Sequence, residues 1–172
     1  MAVSLVVTAD THLPKRARDL PHSLWAAIDA ADLVVHAGDW VDVALLDLLE
    51  ARSRRLLAVH GNNDHGPLRE RLPEVARAEV EGLRIAVVHE TGAATGRERR
   101  CAARFPDTDV LFFGHSHIPW DTVAPSGGMP SGLRLVNPGS PTDRRRQPHG
   151  TFVTAVADAG ALTGVTFHPV PR

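Results

Sequence analysis

The sequence predicts an α/β fold in which strands first alternate with helices and a β-rich half follows. Up to Phe113, short apolar runs rich in β-branched residues alternate with amphipathic segments. Beyond Ile118, short apolar runs follow one another with only Gly- and Pro-rich turns between them. The chain has 172 residues, of which 43% are hydrophobic, enough for a real core. We therefore predict a single domain over residues 1–172.

The alternating half contains strands that end just before polar residues and helices with one apolar face. Its predicted strands are Ser4–Ala9, Leu33–Val35, Leu56–Val59 and Asp109–Phe113. Its predicted helices are Pro21–Ala31, Asp42–Arg52, Leu68–Leu72 and Arg97–Phe105. Two alternating runs around Glu81-Gly82 predict a hairpin, namely Ala76–Val80 and Leu83–Val88. The β-rich half has predicted strands at Ile118–Ala124, Leu133–Val136, Thr151–Ala157 and Leu162–Pro169.

Composition excludes several classes of function. The formal net charge is −1, so no global basic field favours polymeric nucleic acid or an anionic membrane as a partner. No run approaches the ~18 apolar residues of a membrane span, and residues 1–9 do not resemble a signal peptide. The single cysteine, Cys101, excludes an intrachain disulfide and suits a reducing cytoplasm. On a predicted helix, Cys101 is interpreted as a small core residue.

The stretch Gly114-His115-Ser116-His117 is the first sign of chemistry. It follows an apolar run, and His115 and His117 share one face if the backbone stays extended. Such a pair of histidines could bind one metal ion together, or each histidine could bind a different ion of a metal pair. The alternative is a loop with two solvated histidines.

The same arrangement recurs along the chain, because four other predicted strands also end near residues able to bind a metal. These residues are Asp10, His12, Asp39, Asn62 and His89. Singly, each has an ordinary explanation as a turn residue, a helix N-cap or a core histidine. Ligands of open α/β sheets bind at the carboxyl ends of the strands, so the recurrence favours one shared site.

The donor types indicate the kind of metal. Carboxylate, amide oxygen and imidazole without thiolate argue against a structural zinc site and favour Mn²⁺, Fe, Zn²⁺, Ni²⁺ or Co²⁺. Seven donors are too many for one tetrahedral ion and suit two divalent ions sharing a bridging carboxylate. A two-metal site is suited to in-line displacement at phosphorus.

These blocks, in this order, resemble the five motifs of the calcineurin-like metallophosphoesterases. The blocks are Asp10-Thr11-His12, Gly38-Asp39, Gly61-Asn62-Asn63-Asp64, His89 and Gly114-His115-Ser116-His117. The spacing, and Asn137-Pro138-Gly139-Ser140, are similar to the small bacterial and archaeal phosphodiesterase branch; the resemblance runs from about residue 3 to residue 157.

The resemblance implies a four-layer α/β/β/α sandwich of two mixed sheets flanked by helices. It implies a first metal position formed by Asp10, His12, Asp39 and His117. It implies a second position formed by Asp39, Asn62, His89 and His115. It also implies that Asp39 bridges the two ions, and that a hydroxide between them hydrolyses a phosphate mono- or diester.

The chain departs from the family at Asn63, where many members have a histidine proposed to protonate the leaving group. An amide does not titrate near neutral pH, so we expect slow turnover of alkyl esters. His65, two residues away, is an alternative acid, and Asp64 is expected to orient the loop. No catalytic residue is assigned beyond these three candidates.

Several other residues near the motif blocks can be interpreted in more than one way. His36 and His60 precede ligand blocks and are candidates for a supporting shell around them. Trp40 either shapes the mouth of the site or packs in the core. The Arg144-Arg145-Arg146 run is a solvated cluster or steers phosphate.

The expected function is metal-dependent hydrolysis of a small phosphate ester, a diester rather than a monoester, with manganese as the first metal to try. The alternative is a non-catalytic, metal-binding interaction scaffold of the same fold, like the retromer subunit. All seven ligand positions are filled, which favours catalysis. The substrate, the native metals and the oligomeric state, a homo-oligomer included, stay open.

Overall fold

Two five-stranded sheets form the centre of the computed structural model of the chain, which describes residues 1–124 and 132–171. The first sheet contains β1 (Val3–Thr8), β2 (Leu33–Ala37), β3 (Leu56–Val59), β9 (Gly150–Asp158) and β10 (Ala161–Val170). The second contains β4 (Val75–Val80), β5 (Leu83–Val88), β6 (Val110–Phe112), β7 (Trp120–Ala124) and β8 (Leu133–Asn137). The helices are α1 (His22–Ala30), α2 (Val43–Arg52), α3 (Pro67–Arg71) and α4 (Arg97–Arg104).

Both sheets are mixed. The first has the order β10-β9-β1-β2-β3, with β1, β2 and β3 parallel and β9 antiparallel to its two neighbours. The second has the order β4-β5-β6-β8-β7, with β5, β6 and β8 parallel. Parallel neighbours end at the same edge, so each sheet directs several strand ends to one side.

Side-chain alternation along the strands builds the layers. In β1, Leu5 and Val7 enter the core between the sheets, whereas Val6 packs against the helices that cover the other face. In β5, Ile85 faces the same central core and Ala86 the opposite face. Residues of α1 and α2 complete the outer layer that covers the first sheet. Cys101 of α4 lies in the outer layer that covers the second sheet. The four-layer α/β/β/α arrangement is thereby confirmed.

All predicted helices and strands are present, with ends that differ by a few residues. The largest differences are two residues: β2 ends at Ala37 instead of Val35, and β7 begins at Trp120 instead of Ile118, because Trp120 is the residue that pairs with Asn137 at the end of β8. Asp42 precedes α2 as its N-cap, accepting a hydrogen bond from the Ala44 N–H (2.9 Å). Among the described residues, no helix has the length and apolar character needed to cross a bilayer.

Candidate metal centre

The carboxyl ends of β1, β2 and β3 and those of β5 and β6 meet at one edge of the sandwich. The seven predicted ligands follow these ends directly or within a few residues. The structure brings all of them together: Asp10, His12, Asp39, Asn62, His89, His115 and His117 are linked by contacts of 4.0 Å or less.

One group of donors, the first cluster, consists of Asp10, His12 and His117. Their donor atoms lie within 4.8 Å of one another, and all three residues are buried. His117 Nε2 lies 3.4 Å from Asp10 Oδ1 and 3.2 Å from His12 Nε2. Two imidazole nitrogens and a carboxylate oxygen therefore converge on one point.

The second cluster consists of Asn62, His89 and His115. The amide oxygen of Asn62 lies 3.0 Å from His89 Nε2 and 3.0 Å from His115 Nδ1. His89 is buried, whereas His115 is exposed. The second cluster thus lies nearer to solvent.

Asp39 lies between the two clusters. Its Oδ2 is 3.5 Å from His12 Nε2 of the first cluster, and its Oδ1 is 3.4 Å from His89 Nε2 of the second. One carboxylate therefore presents one oxygen to each cluster.

Backbone carbonyls fix the orientation of two ligand rings. The Nδ1–H of His117 donates to the carbonyl of Asp143 (2.6 Å), and the Nδ1–H of His89 donates to that of Ala37 (2.7 Å). A carbonyl only accepts, so Nδ1 carries a proton in both rings and Nε2 faces the site. Neither carbonyl is readable from sequence, so both partners were missed.

The carboxylate of Asp64 joins the loops that carry Asp39 and Asn62. It is fully buried and accepts from the backbone N–H of Gly61 (2.7 Å), Asp39 (3.0 Å) and Val41 (2.7 Å). Gly61 has no space for a side chain, because a Cβ there would overlap the Asp39 carboxylate. Asp64 therefore sets the relative position of two ligand loops.

The Asn137–Ser140 turn holds the other ligand loops. The Ser140 hydroxyl donates to the carbonyl of Asp10 (2.7 Å), and the Asn137 amide donates to that of Gly114 (2.9 Å). Asn137 Oδ1 accepts from the Gly139 N–H (2.9 Å), which closes the turn. The turn motif is thus a support for the ligands from β1 and β6.

Five of the seven predicted ligands have left-handed backbone conformations, which non-glycine residues rarely adopt. The φ angles lie between 46° and 71° for Asp10, His12, Asp39, His115 and His117. Such conformations cluster at functional sites, where the surrounding structure enforces them.

Burial and mutual charge shift the ligand pKa values in different directions. Burial raises the pKa of Asp10 to about 8 and lowers that of His117 to about 4. Burial also opposes charge on His89, but its hydrogen bond to Asp39 and the charges of Asp10 and Asp39 outweigh this and raise its pKa to about 9. Burial opposes charge on Asp39 too, yet His89 and Asn63 hold its pKa well below the usual range. Protons thus occupy positions that a divalent cation would take over on binding.

The other residues considered in the sequence analysis either support the predicted ligand loops or lie at the edge of the site. His36 is buried, accepts from the Gly38 N–H at Nδ1 (3.2 Å) and contacts the Thr11 hydroxyl (3.1 Å), so it supports two ligand loops. Trp40 is fully buried, stacks on His36 and donates to the Val59 carbonyl (2.9 Å), which settles its role as packing. His60 is half-buried beside Gly61.

Two further residues lie near the site, although the sequence offered little or no reason to place them there. Arg145 is exposed, and its guanidinium lies 3.5 Å from the carbonyl of His115, at the rim of the site. Glu90 follows His89, and its Oε1 lies 3.9 Å from His115 Nδ1. Adjacency to His89 was the available signal for Glu90.

The donor set fits divalent metal ions. Carboxylates, an amide oxygen and imidazoles, with no thiolate, are ligands of Mn²⁺, Fe²⁺, Co²⁺, Ni²⁺ and Zn²⁺. The three groups able to hold an ion overlap, since the Asp10–Asp39–His89 group shares Asp10 with one neighbour and His89 with the other.

Three comparisons agree with this geometry. The family model described as the calcineurin-like phosphoesterase superfamily domain matches residues 3–160. A probable metallophosphoesterase from Methanocaldococcus jannaschii is 32% identical over 139 residues, which are 79% of this chain and 67% of that protein. The solution NMR structure of the Thermotoga maritima protein TM1076 is 30% identical, with a TM-score of 0.74 and coverage of 98% and 99% of the two chains.

The fold is also similar to Vps29. The Entamoeba histolytica Vps29 complexed with Zn²⁺ has a TM-score of 0.74 at 20% identity, covering 97% of this chain and 98% of that one. This likeness concerns the fold alone. The family model and the archaeal relative show that this chain belongs to the calcineurin-like phosphoesterase superfamily.

Proposed function

We propose that this protein is a metal-dependent phosphodiesterase that uses two divalent ions for in-line attack at phosphorus. The observation that carries the proposal is the position of Asp39. Its two oxygens face His12 of the first cluster and His89 of the second, at 3.5 and 3.4 Å. A carboxylate so placed is a bridging ligand.

The chain offers four donors to each ion. Asp10, His12, Asp39 and His117 would hold the first, and Asp39, Asn62, His89 and His115 the second. Such a pair of ions supplies an activated water and neutralises the charge that develops on phosphate oxygens. The mixture of oxygen and nitrogen donors suits manganese.

Asn63 holds the bridging carboxylate in place. Its backbone N–H donates to Asp39 Oδ1 (2.9 Å), and its side-chain amide donates to Asp39 Oδ2 (2.7 Å). Together with Asp64, which binds the Asp39 N–H, it fixes both ends of this residue. Asn63 thus acts as a positioning residue, and it has no proton to give a leaving group near neutral pH.

A cavity beside the second cluster favours a diester over a monoester. It has a volume of about 220 Å³ and borders Asn62 and His89. The lining includes two acidic and two basic side chains, Glu74, Glu90, Arg69 and Arg104. These four side chains add no net charge of their own, so they do not favour the dianion of a monoester over the monoanion of a diester, and the cavity offers space for a second ester substituent.

Metal-free protein should hydrolyse bis(p-nitrophenyl) phosphate only after divalent ions are added, and faster than p-nitrophenyl phosphate. The measurement is nitrophenolate release at matched substrate concentrations with Mn²⁺, Zn²⁺, Co²⁺, Ni²⁺ and Fe²⁺. Faster monoester cleavage would reject the diester preference. A folded protein that binds metal but cleaves neither compound would instead support an interaction scaffold, the alternative suggested by the Vps29 fold.

Replacing Asn63 with His should accelerate diesters with poor leaving groups more than those with good ones. A positioned acid is typically worth 10²–10⁴-fold, and an implanted His should regain about tenfold or more on phenyl or alkyl diesters. Nitrophenolate leaves without protonation, so its rate should change little. The rates of Asn63→His and of the non-titrating control Asn63→Gln are compared on both substrate types. Equal effects of both variants on both types would contradict the assignment of this position.

A further inference from the structure

Glu90 is the charged side chain closest in sequence to a ligand of the second cluster. It follows His89 directly, where β5 has ended, and it lines the cavity next to Asn62. Its side chain is 52% exposed, as is that of His115, so both stand at the solvent side of the cluster. Glu90 is not part of the motif blocks that identified the seven predicted ligands.

The donor atoms of Glu90, His89 and His115 are spaced like the ligands of one ion. They all lie within 4.8 Å of one another, and Glu90 Oε1 is 3.9 Å from His115 Nδ1. Ligands about 2.1 Å from a six-coordinate ion lie about 3.0 Å apart when adjacent and about 4.2 Å apart when opposite. The 3.0 Å contacts of Asn62 Oδ1 with His89 and His115 fall in the same range.

Surface charge pairing explains the other carboxylate of this cavity but not Glu90. Glu74 lies 3.4 Å from the guanidinium of Arg104. Within residues 1–124 and 132–171, the side chain of Glu90 approaches the ring of His115, at a separation too long for a hydrogen bond. Glu90 therefore faces the imidazole of His115, although two arginines, Arg69 and Arg104, line the same cavity.

From this geometry we propose that Glu90 is a further ligand of the second ion. The assignment rests on the two-metal function proposed above. With Glu90, the second position has five protein donors: Asp39, Asn62, Glu90, His89 and His115. Five donors, three of them oxygen, exceed what tetrahedral zinc takes and favour an ion that accepts six ligands, such as Mn²⁺. The second position is thus selective for harder ions.

The test is calorimetric titration of metal-free protein with Mn²⁺ alone, with electron paramagnetic resonance of the bound ions as a second readout. Wild type should bind two ions. Glu90→Ala, which leaves no oxygen donor, should weaken the second by at least about 10–100-fold, the effect known for residues that only support metal ligands, and leave the first unchanged. Repeating the titration with Zn²⁺ should show a smaller loss, because zinc needs fewer donors.

Two further variants separate ligation from mere proximity of charge. Glu90→Asp keeps the charge but withdraws the carboxylate by one methylene, so a ligand role predicts weaker binding and a purely electrostatic role predicts wild-type affinity. Glu74→Gln removes a carboxylate from the same cavity and should bind both ions like wild type. Circular dichroism verifies that each variant is folded.

The outcomes distinguish this assignment from the function on which it rests. If wild type binds two ions and Glu90→Ala retains the second within twofold, Glu90 is not a ligand and the two-metal proposal stands. If wild type binds fewer than two ions, the two-metal proposal falls and the Glu90 assignment falls with it.

Discussion

Replacing Asp39 with Asn should lower metal-dependent diester hydrolysis by about a thousandfold or more. Asp39 presents one oxygen to each cluster, and an amide can offer only its oxygen to one of them. One loss therefore weakens both metal positions and removes a negative charge that binds the cations. Losing a single preorganised electrostatic contact to a transition state already costs about 10²–10³-fold, which makes our figure a lower bound.

Activity and metal stoichiometry of Asp39→Asn should be measured on the same samples. The calorimetric titration should show at most one ion bound tightly. The matched control is Asp42→Asn, three residues on, since Asn caps a helix as well as Asp and α2 should be unaffected. An Asp39→Asn protein that binds two ions and keeps a tenth of the activity would rule out bridging.

Replacing Asp64 with Ala should reduce the free energy of unfolding by about 3 kcal/mol or more. The substitution leaves three N–H groups without their acceptor: the buried ones of Asp39 and Gly61 and the partly buried one of Val41. Each unsatisfied buried donor costs about 1–3 kcal/mol, and the charge on the acceptor strengthens the bonds that are lost. Urea unfolding of the metal-free protein, followed by circular dichroism, measures the change without contributions from bound ions.

The control for Asp64→Ala is Asp42→Ala, which removes an exposed carboxylate with one backbone partner. That substitution should cost about 1 kcal/mol, the usual value of an N-cap. If the two variants were equally stable, Asp64 would not be what holds the ligand loops together.

The convergence of the seven predicted ligands was predictable because their positions follow from periodicity. The apolar runs that became β1, β2, β3, β5 and β6 end next to the residues that became the two clusters. Parallel strands end at a common edge, so locating the strand ends also located the site. The Asn63 and Asp64 positions followed from the motif that contains them.

What could not be predicted depends on backbone atoms and on distant segments. The carbonyls of Asp143 and Ala37 orient His117 and His89, and every residue has a carbonyl, so no sequence pattern marks these two. Trp40, beside the bridging ligand, turned out to be buried under α2 because its indole N–H reaches the Val59 carbonyl. Glu90 is informative only once His115 is seen beside it.

The left-handed ligands also make this site a place where stability and activity are in conflict. Each such residue costs on the order of 1–3 kcal/mol relative to a relaxed backbone. Glycine adopts the same φ angles freely, so it would relieve that strain at Asp10, His12, Asp39, His115 or His117. A lineage of this protein released from selection on the proposed hydrolysis should therefore lose the imidazoles of His12 and His115 before the carboxylates of Asp10 and Asp39, because those carboxylates also accept backbone hydrogen bonds from His115 and Asn63.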